Sequence, residues 1–238
     1  MNKFSLSLIF VVFILAALVF PVSALDYNPG VIVGQYVKYG NFVGSGQGFE
    51  SFNEISYQQF EVTAVSGRDV TLLSTGQYKN GTALPGNGVS EVWNVEAGTQ
   101  NGVDATQGPI IAAGLNQGDA IPPPNTYSIN ATEDRAYLGV SRAVNLLSVS
   151  ISTSDYNLTL FYVYDKASGF LLEASSQTVT QSEPSSVTSS YSYSVIETNI
   201  FTSTTPSSSL SMVYIVVPVV VIVIIVVVLI LLLNRKRL

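Results

Sequence analysis

Apolar and polar residues alternate in short runs over most of the chain, and Gly, Asn, Asp or Ser bounds each run. Residues 57–65 place Phe60, Val62 and Ala64 on one face and Gln59, Glu61 and Thr63 on the other. Ser66-Gly67-Arg68-Asp69 then has turn chemistry and residues 70–78 return, which predicts a β-hairpin. Residues 89–96 predict a strand with Val89, Glu91, Trp93 and Val95 on one side, and residues 156–164, 170–180 and 187–197 continue the pattern across turns at 152–155 and 165–169. Residues 126–131 are expected to pair with 137–149 across a turn at Glu133-Asp134. Residues 31–39 form the expected first strand, and the glycines of residues 40–48 predict a flexible loop. Residues 101–124 are the least strand-like: 109–115 predict one or two helical turns starting at Pro109, and Pro122-Pro123-Pro124 a stiff extended crossover. The pattern predicts a mainly β fold over residues 25–198, a single curved antiparallel sheet in the form of a half-barrel or sandwich.

The two ends read differently. Residues 212–233 carry no charge and precede Asn234, Arg235, Lys236 and Arg237. At about 1.5 Å rise per residue such a run covers the ~30 Å hydrocarbon core of a bilayer. It predicts one C-terminal transmembrane helix, 212–233, with a cytoplasmic basic tail, 234–238. Residues 1–24, with Lys3, an apolar run from Phe4 to Val22, and Ser23-Ala24, predict a signal peptide cut after Ala24; an uncleaved signal anchor gives the same topology. The Ser/Thr-rich residues 199–211 read as a stalk. The expected protein is single-pass in the cell membrane, its ectodomain outside, its C-terminus cytoplasmic, and the membrane a partner through the span.

Charge agrees with that division. All sixteen acidic residues but only six of the ten basic ones lie between Leu25 and Asn199. A surface so acidic repels nucleic acid, which is excluded as a partner. The chain has no Cys and no His, which removes thiolate metal sites, the commonest zinc ligands and both His-dependent triads. Neither a Gly-x-Ser-x-Gly elbow nor a Ser-x-x-Lys arrangement is present. Gly44 to Gly48 lacks the spacing and the lysine of a phosphate cradle. The expectation is therefore no catalytic residue, no metal and no cofactor. Asn80, Asn130 and Asn157 head Asn-x-Ser/Thr sequons and are the candidate glycosylation sites.

The fragment Tyr162-Val163-Tyr164-Asp165-Lys166-Ala167-Ser168-Gly169-Phe170-Leu171-Leu172-Glu173 resembles a Tyr-x-Asp-Lys-x-Ser/Thr-Gly-x-Leu-Leu hairpin. That hairpin is common in archaeal membrane-anchored, signal-peptide-bearing β-rich surface proteins of unknown function. Residues 34–39, 111–119 and 141–145 look like the other segments of that pattern. The hairpin is also similar to one in half-barrels of the lipoprotein-carrier (lipoprotein localisation factor) type, which implies a concave apolar face that holds acyl chains. The long lid helices of that fold have no counterpart here.

These observations favour a non-enzymatic binding or envelope-structural ectodomain. One rival is a half-barrel carrier or sensor of a lipid-like ligand, with Trp93, Phe161 and Leu172 as the candidate ligand-binding residues. The other is a carboxylate-based carbohydrate-active enzyme, which needs two facing carboxylates about 5 to 10 Å apart. An envelope protein is the alternative partner to the lipid-like ligand.

Overall fold

The computed structural model describes residues 26–105, 108–122, 127–182 and 185–201, within Met1–Ser203, the first of the two units into which the chain divides. The strands are β1 (Tyr36–Ser45), β2 (Ile55–Ser66), β3 (Asp69–Tyr78), β4 (Val89–Asn94), β5 (Thr99–Gln100), β6 (Val103–Asp104), β7 (Ala120–Ile121), β8 (Tyr127–Ser128), β9 (Ala131–Tyr137), β10 (Val140–Ser152), β11 (Tyr156–Asp165), β12 (Leu171–Ser182) and β13 (Ser185–Thr198). Eleven of them make one antiparallel sheet, ordered β6-β5-β4-β3-β2-β1-β13-β12-β11-β10-β9, and β7 and β8 pair separately. The sheet is thus two meanders joined where the first long strand meets the last, Val37 opposite Thr198 and Ser45 opposite Ser190. The outer strands β6 and β9 do not pair with each other, so no barrel closes. The β9 edge carries Glu133, Asp134 and Arg135, charges that discourage pairing with another chain.

Alternation decides which side chains face inward. Along β3, Val70, Leu72 and Ser74 are buried at every second position, and along β11 so are Leu160, Tyr162 and Tyr164. In β1 the alternation is reset. Asn41 sits at φ 54°, beside a register shift between Gly40 and Val43. The bulge puts Tyr39 and Phe42, three residues apart, on one face. Asn tolerates this left-handed conformation, and its side chain donates to Ser194 Oγ at 3.0 Å.

Residues 108–122 cover part of the inner face, with Ile110, Ile111, Ala112, Leu115 and Ile121 buried in the same core as Leu72, Trp93 and Tyr164. They form a bridge and turns where helical turns were expected: Ile110 bridges Phe170, Ile111 N donates to Gly169 O at 3.0 Å and Leu171 N donates to Pro109 O at 2.9 Å. Burial of four branched residues against the sheet outweighs the weak helical start at Pro109.

The turn at 165–169 makes this clamp. Asp165 is completely buried. Its carboxylate accepts two bonds from Arg142, at 2.8 and 2.9 Å, and two more from the Ser168 backbone and hydroxyl, at 2.8 and 2.7 Å. The turn so fixed accepts Gly114 N at Lys166 O, 2.7 Å, while Lys166 Nζ donates to Asn116 Oδ1, 2.7 Å. From β10, Asn145 donates to Leu115 O at 2.9 Å. Residues 111–119, 141–145 and 162–173, three of the segments behind the archaeal resemblance, meet in this clamp.

Three expectations are corrected. The 40–48 loop is strand as far as Ser45, because Gly44 allows a backbone approach that no side chain would: a Cβ there would lie 1.7 Å from Phe49 O. The Glu133-Asp134 turn is instead the middle of β9, and the reversal falls at Leu138-Gly139, both at positive φ, 51° and 79°. The third concerns the membrane. Among the described residues no helix is long and apolar enough to cross one; the chain there is extended, and its helical element is the five-residue 3₁₀ turn Glu50–Glu54. This overturns the fold class that included a transmembrane helix, the single-pass function, the membrane as partner, and the cell-membrane, signal-peptide and archaeal-surface assignments that went with it. Residues 1–24, 202–211, 212–233 and 234–238, on which they rested, lie outside the described residues.

Candidate functional site

Where residues 108–122 do not cover it, the inner face holds a cleft of about 200 Å³ lined by Tyr39, Gln58, Phe60, Gly108, Pro109, Tyr162, Leu171, Tyr191 and Tyr193. Its walls come from the centre of the sheet: Tyr39 from β1, Gln58 and Phe60 from β2, and Tyr191 and Tyr193 from β13, with Tyr162 and Leu171 beyond them. Antiparallel pairing of β1 with both neighbours brings these residues together.

The rings meet at steep angles. Tyr39 stands at 68° to Phe60, centroids 6.1 Å apart, and at 77° to Tyr193, 5.3 Å apart. Tyr191 and Tyr193, two apart on one strand, are nearly parallel at 12° and 6.3 Å. Behind them Phe42 stacks on Tyr193 at 5.4 Å and Phe52 on Tyr191 at 5.1 Å. This backing fixes the tyrosines, since edge-to-face and offset pairs add roughly 0.5–1.5 kcal/mol beyond area burial.

Among the described residues no charged side chain lines the cleft. Burial, and then the neighbouring tyrosines, push the Tyr39, Tyr162 and Tyr193 hydroxyls well above the ordinary phenol range, so they remain neutral donors and acceptors. Tyr39 donates to Leu171 O at 2.8 Å and Tyr162 is hydrogen-bonded with Tyr191. The Gln58 amide and the Tyr193 hydroxyl are the other polar groups of the lining, and neither is a buried atom lacking a partner. Among the described residues the lining holds no carboxylate, Lys or Ser.

Trp93, Phe161 and Leu172 do not line this cleft. Trp93 is 7 % exposed in the core. Its ring packs on Gly108, where a Cβ would lie 2.1 Å from the indole, and its Nε1 is buried without a hydrogen-bond partner. Beside it is a void of about 10 Å³ walled by Val95, Ala105, Ile110, Ile111 and Ile121. Phe161 is half-buried under Arg135, 5.6 Å from guanidinium to ring. Leu172 is wholly buried. Asn80, Asn130 and Asn157 are exposed; Asn80 Oδ1 accepts Thr82 N at 2.9 Å and Asn130 Oδ1 accepts Ser148 N at 2.5 Å. Among the described residues no group of acidic side chains is placed to hold a metal ion.

The cleft residues were visible in the sequence only as members of strand faces. Tyr191 and Tyr193 share a face of the last strand and Phe60 a face of the first hairpin, but nothing local tells that β1 lies between them. No protein-family model matches the chain, and no curated protein matches it. The class that fold and site define is an open eleven-stranded antiparallel sheet with a neutral aromatic cleft at its centre.

Proposed function

We propose that the domain is a binding module whose site is the tyrosine cleft, and that it takes a small organic ligand by its weakly hydrated surface together with one or two hydrogen bonds. The observation that carries this reading is an open aromatic space lined also by the polar groups of Gln58 and Tyr193, beside a stretch of the same face that the chain has filled with its own residues. A few polar groups in a mostly aromatic lining fix a ligand's orientation. The size favours a small ligand: at about 200 Å³ the cleft falls below the several hundred Å³ an acyl-chain carrier needs. The neutral lining disfavours phosphates and carboxylates, which would lose hydration without gaining a counter-charge.

The test is a screen of small organic molecules against the full chain, followed through the aromatic-ring and side-chain amide resonances. Shifts are expected at Tyr193, Phe60 and Gln58, with Tyr57 and Tyr156 unmoved. Shifts that gather on residues outside the lining would overturn the assignment.

A further inference from the structure

We infer that the group the cleft holds is a quaternary ammonium, as in choline and its derivatives. The inference rests on the cleft being the binding site and adds the chemical class of the ligand.

A cation that sheds its water must be met either by a carboxylate or by aromatic rings. Compact ammonium and metal ions are strongly hydrated and need the former. A quaternary ammonium is bulky and weakly hydrated, and the negative faces of aromatic rings suffice for it. This cleft has four tyrosines and a phenylalanine and no carboxylate. Tyr39, Phe60 and Tyr193 meet edge to face, at 68° and 77°, and Tyr191 lies beside Tyr193 at 12°, so the lining is a continuous aromatic surface against which a bulky, weakly hydrated cation can rest. A volume near 200 Å³ accommodates a trimethylammonium head and little more.

The rest of the domain favours the same sign. With sixteen acidic and six basic residues between Leu25 and Asn199, its field draws cations toward a site that itself carries no charge. A trimethylammonium group makes no conventional hydrogen bond, so the Gln58 amide and Tyr193 hydroxyl are left for the polar remainder of the ligand, a hydroxyl in choline.

The experiment is calorimetric titration of the full chain with choline and, separately, with 3,3-dimethylbutan-1-ol, its neutral isostere, with carbon in place of nitrogen. The expected result is choline binding about tenfold or more tighter than the isostere, and weakened about tenfold by Phe60→Leu, which removes one ring. Equal affinity for the two would overturn the cationic class while leaving the cleft as a site for neutral ligands. Binding of neither would overturn the proposal, and the resonance screen would then decide whether the cleft reading falls with it. The wild-type comparison does not depend on any variant folding.

Discussion

One face of one sheet is treated in two ways, and the contrast is the most informative feature of this molecule. Over β4, β10 and β11, residues 108–122 fill the face with Ile110, Ile111, Leu115 and Ile121, clamped by Asp165, Lys166, Gly169 and Asn145. At the junction of β1, β2 and β13 the face is left open, walled by rings and by the polar groups of Gln58 and Tyr193. The filled region has the character of a core: branched side chains and buried polar atoms paired almost without exception, Trp93 Nε1 being the one that is not. The open region has the character of a site, with aromatic walls backed from behind by Phe42 and Phe52. A chain able to cover the first with its own loop leaves the second uncovered.

That contrast can be broken most severely at the clamp. Asp165→Asn leaves the Arg142 guanidinium facing a neutral amide in a buried place and is expected to cost about 3–5 kcal/mol, read as a lowered urea midpoint. The pair Asp165→Leu with Arg142→Met should recover most of this loss, because two apolar groups leave no buried charge; a double variant as unstable as the single one would show that the bonds to Ser168, not the ion pair, hold the turn. Next, Leu115→Ala in the filled region should cost about 2–5 kcal/mol. At the cleft, Gln58→Ala should change stability by no more than about 0.5 kcal/mol, and a loss comparable to that of Leu115→Ala would erase the distinction between the two regions.

Alkali sharpens the comparison further. Tyr137 donates to Glu173 at 3.0 Å, and burial, then this carboxylate, pushes its hydroxyl up to about 12. The folded state therefore holds the phenol proton more tightly than the unfolded chain, whose value is near 10. Stability from this group is whole below pH 10 and is lost as pH rises through about 12. Tyr39, Tyr162, Tyr164 and Tyr193 are raised in the same direction. Ionisation of these five phenols should consequently come together with unfolding, and all thirteen tyrosines ionising in a domain that stays folded would contradict the burial. The smallest effect is expected on the exposed surface. Glu197, its carboxyl held below the usual range by Tyr36 and then Lys38, is solvated, and Glu197→Gln should leave the midpoint where it is at physiological salt.

Much of the sheet was legible in the chain. The hairpin turning at Gly67-Arg68, the turn at 165–169 and the last strand follow from alternation and turn chemistry, because these are local properties of a few residues. The pairing of β1 with β13 was not legible, since it joins positions some 160 residues apart, as in Tyr36 with Glu197, and no periodicity reports which strands become neighbours. The cleft is made by that pairing, so its residues could be placed on faces but not assembled. Trp93, a ligand-binding candidate by sequence, lies in the core. Phe161 and Leu172 were chosen from apolar runs, which cannot separate a residue that lines a space from one that fills it. The run at 212–233 carried the membrane reading by composition alone, and it falls outside the residues over which the fold is described.

The most direct measurement is the thermal midpoint of the full chain with and without choline at many times its dissociation constant, for the wild type, Phe60→Leu and Leu115→Ala. A ligand that binds only the folded state raises stability by about 2.7 kcal/mol at a hundredfold excess over that constant. The account predicts that choline raises the midpoint of the wild type and of the less stable Leu115→Ala alike, and that Phe60→Leu, with binding weakened tenfold, gains about half as much, about 1.4 kcal/mol, at the same concentration. A shift that survives in full in Phe60→Leu, or one that disappears in Leu115→Ala while that variant remains folded, would place the binding outside the cleft and contradict it.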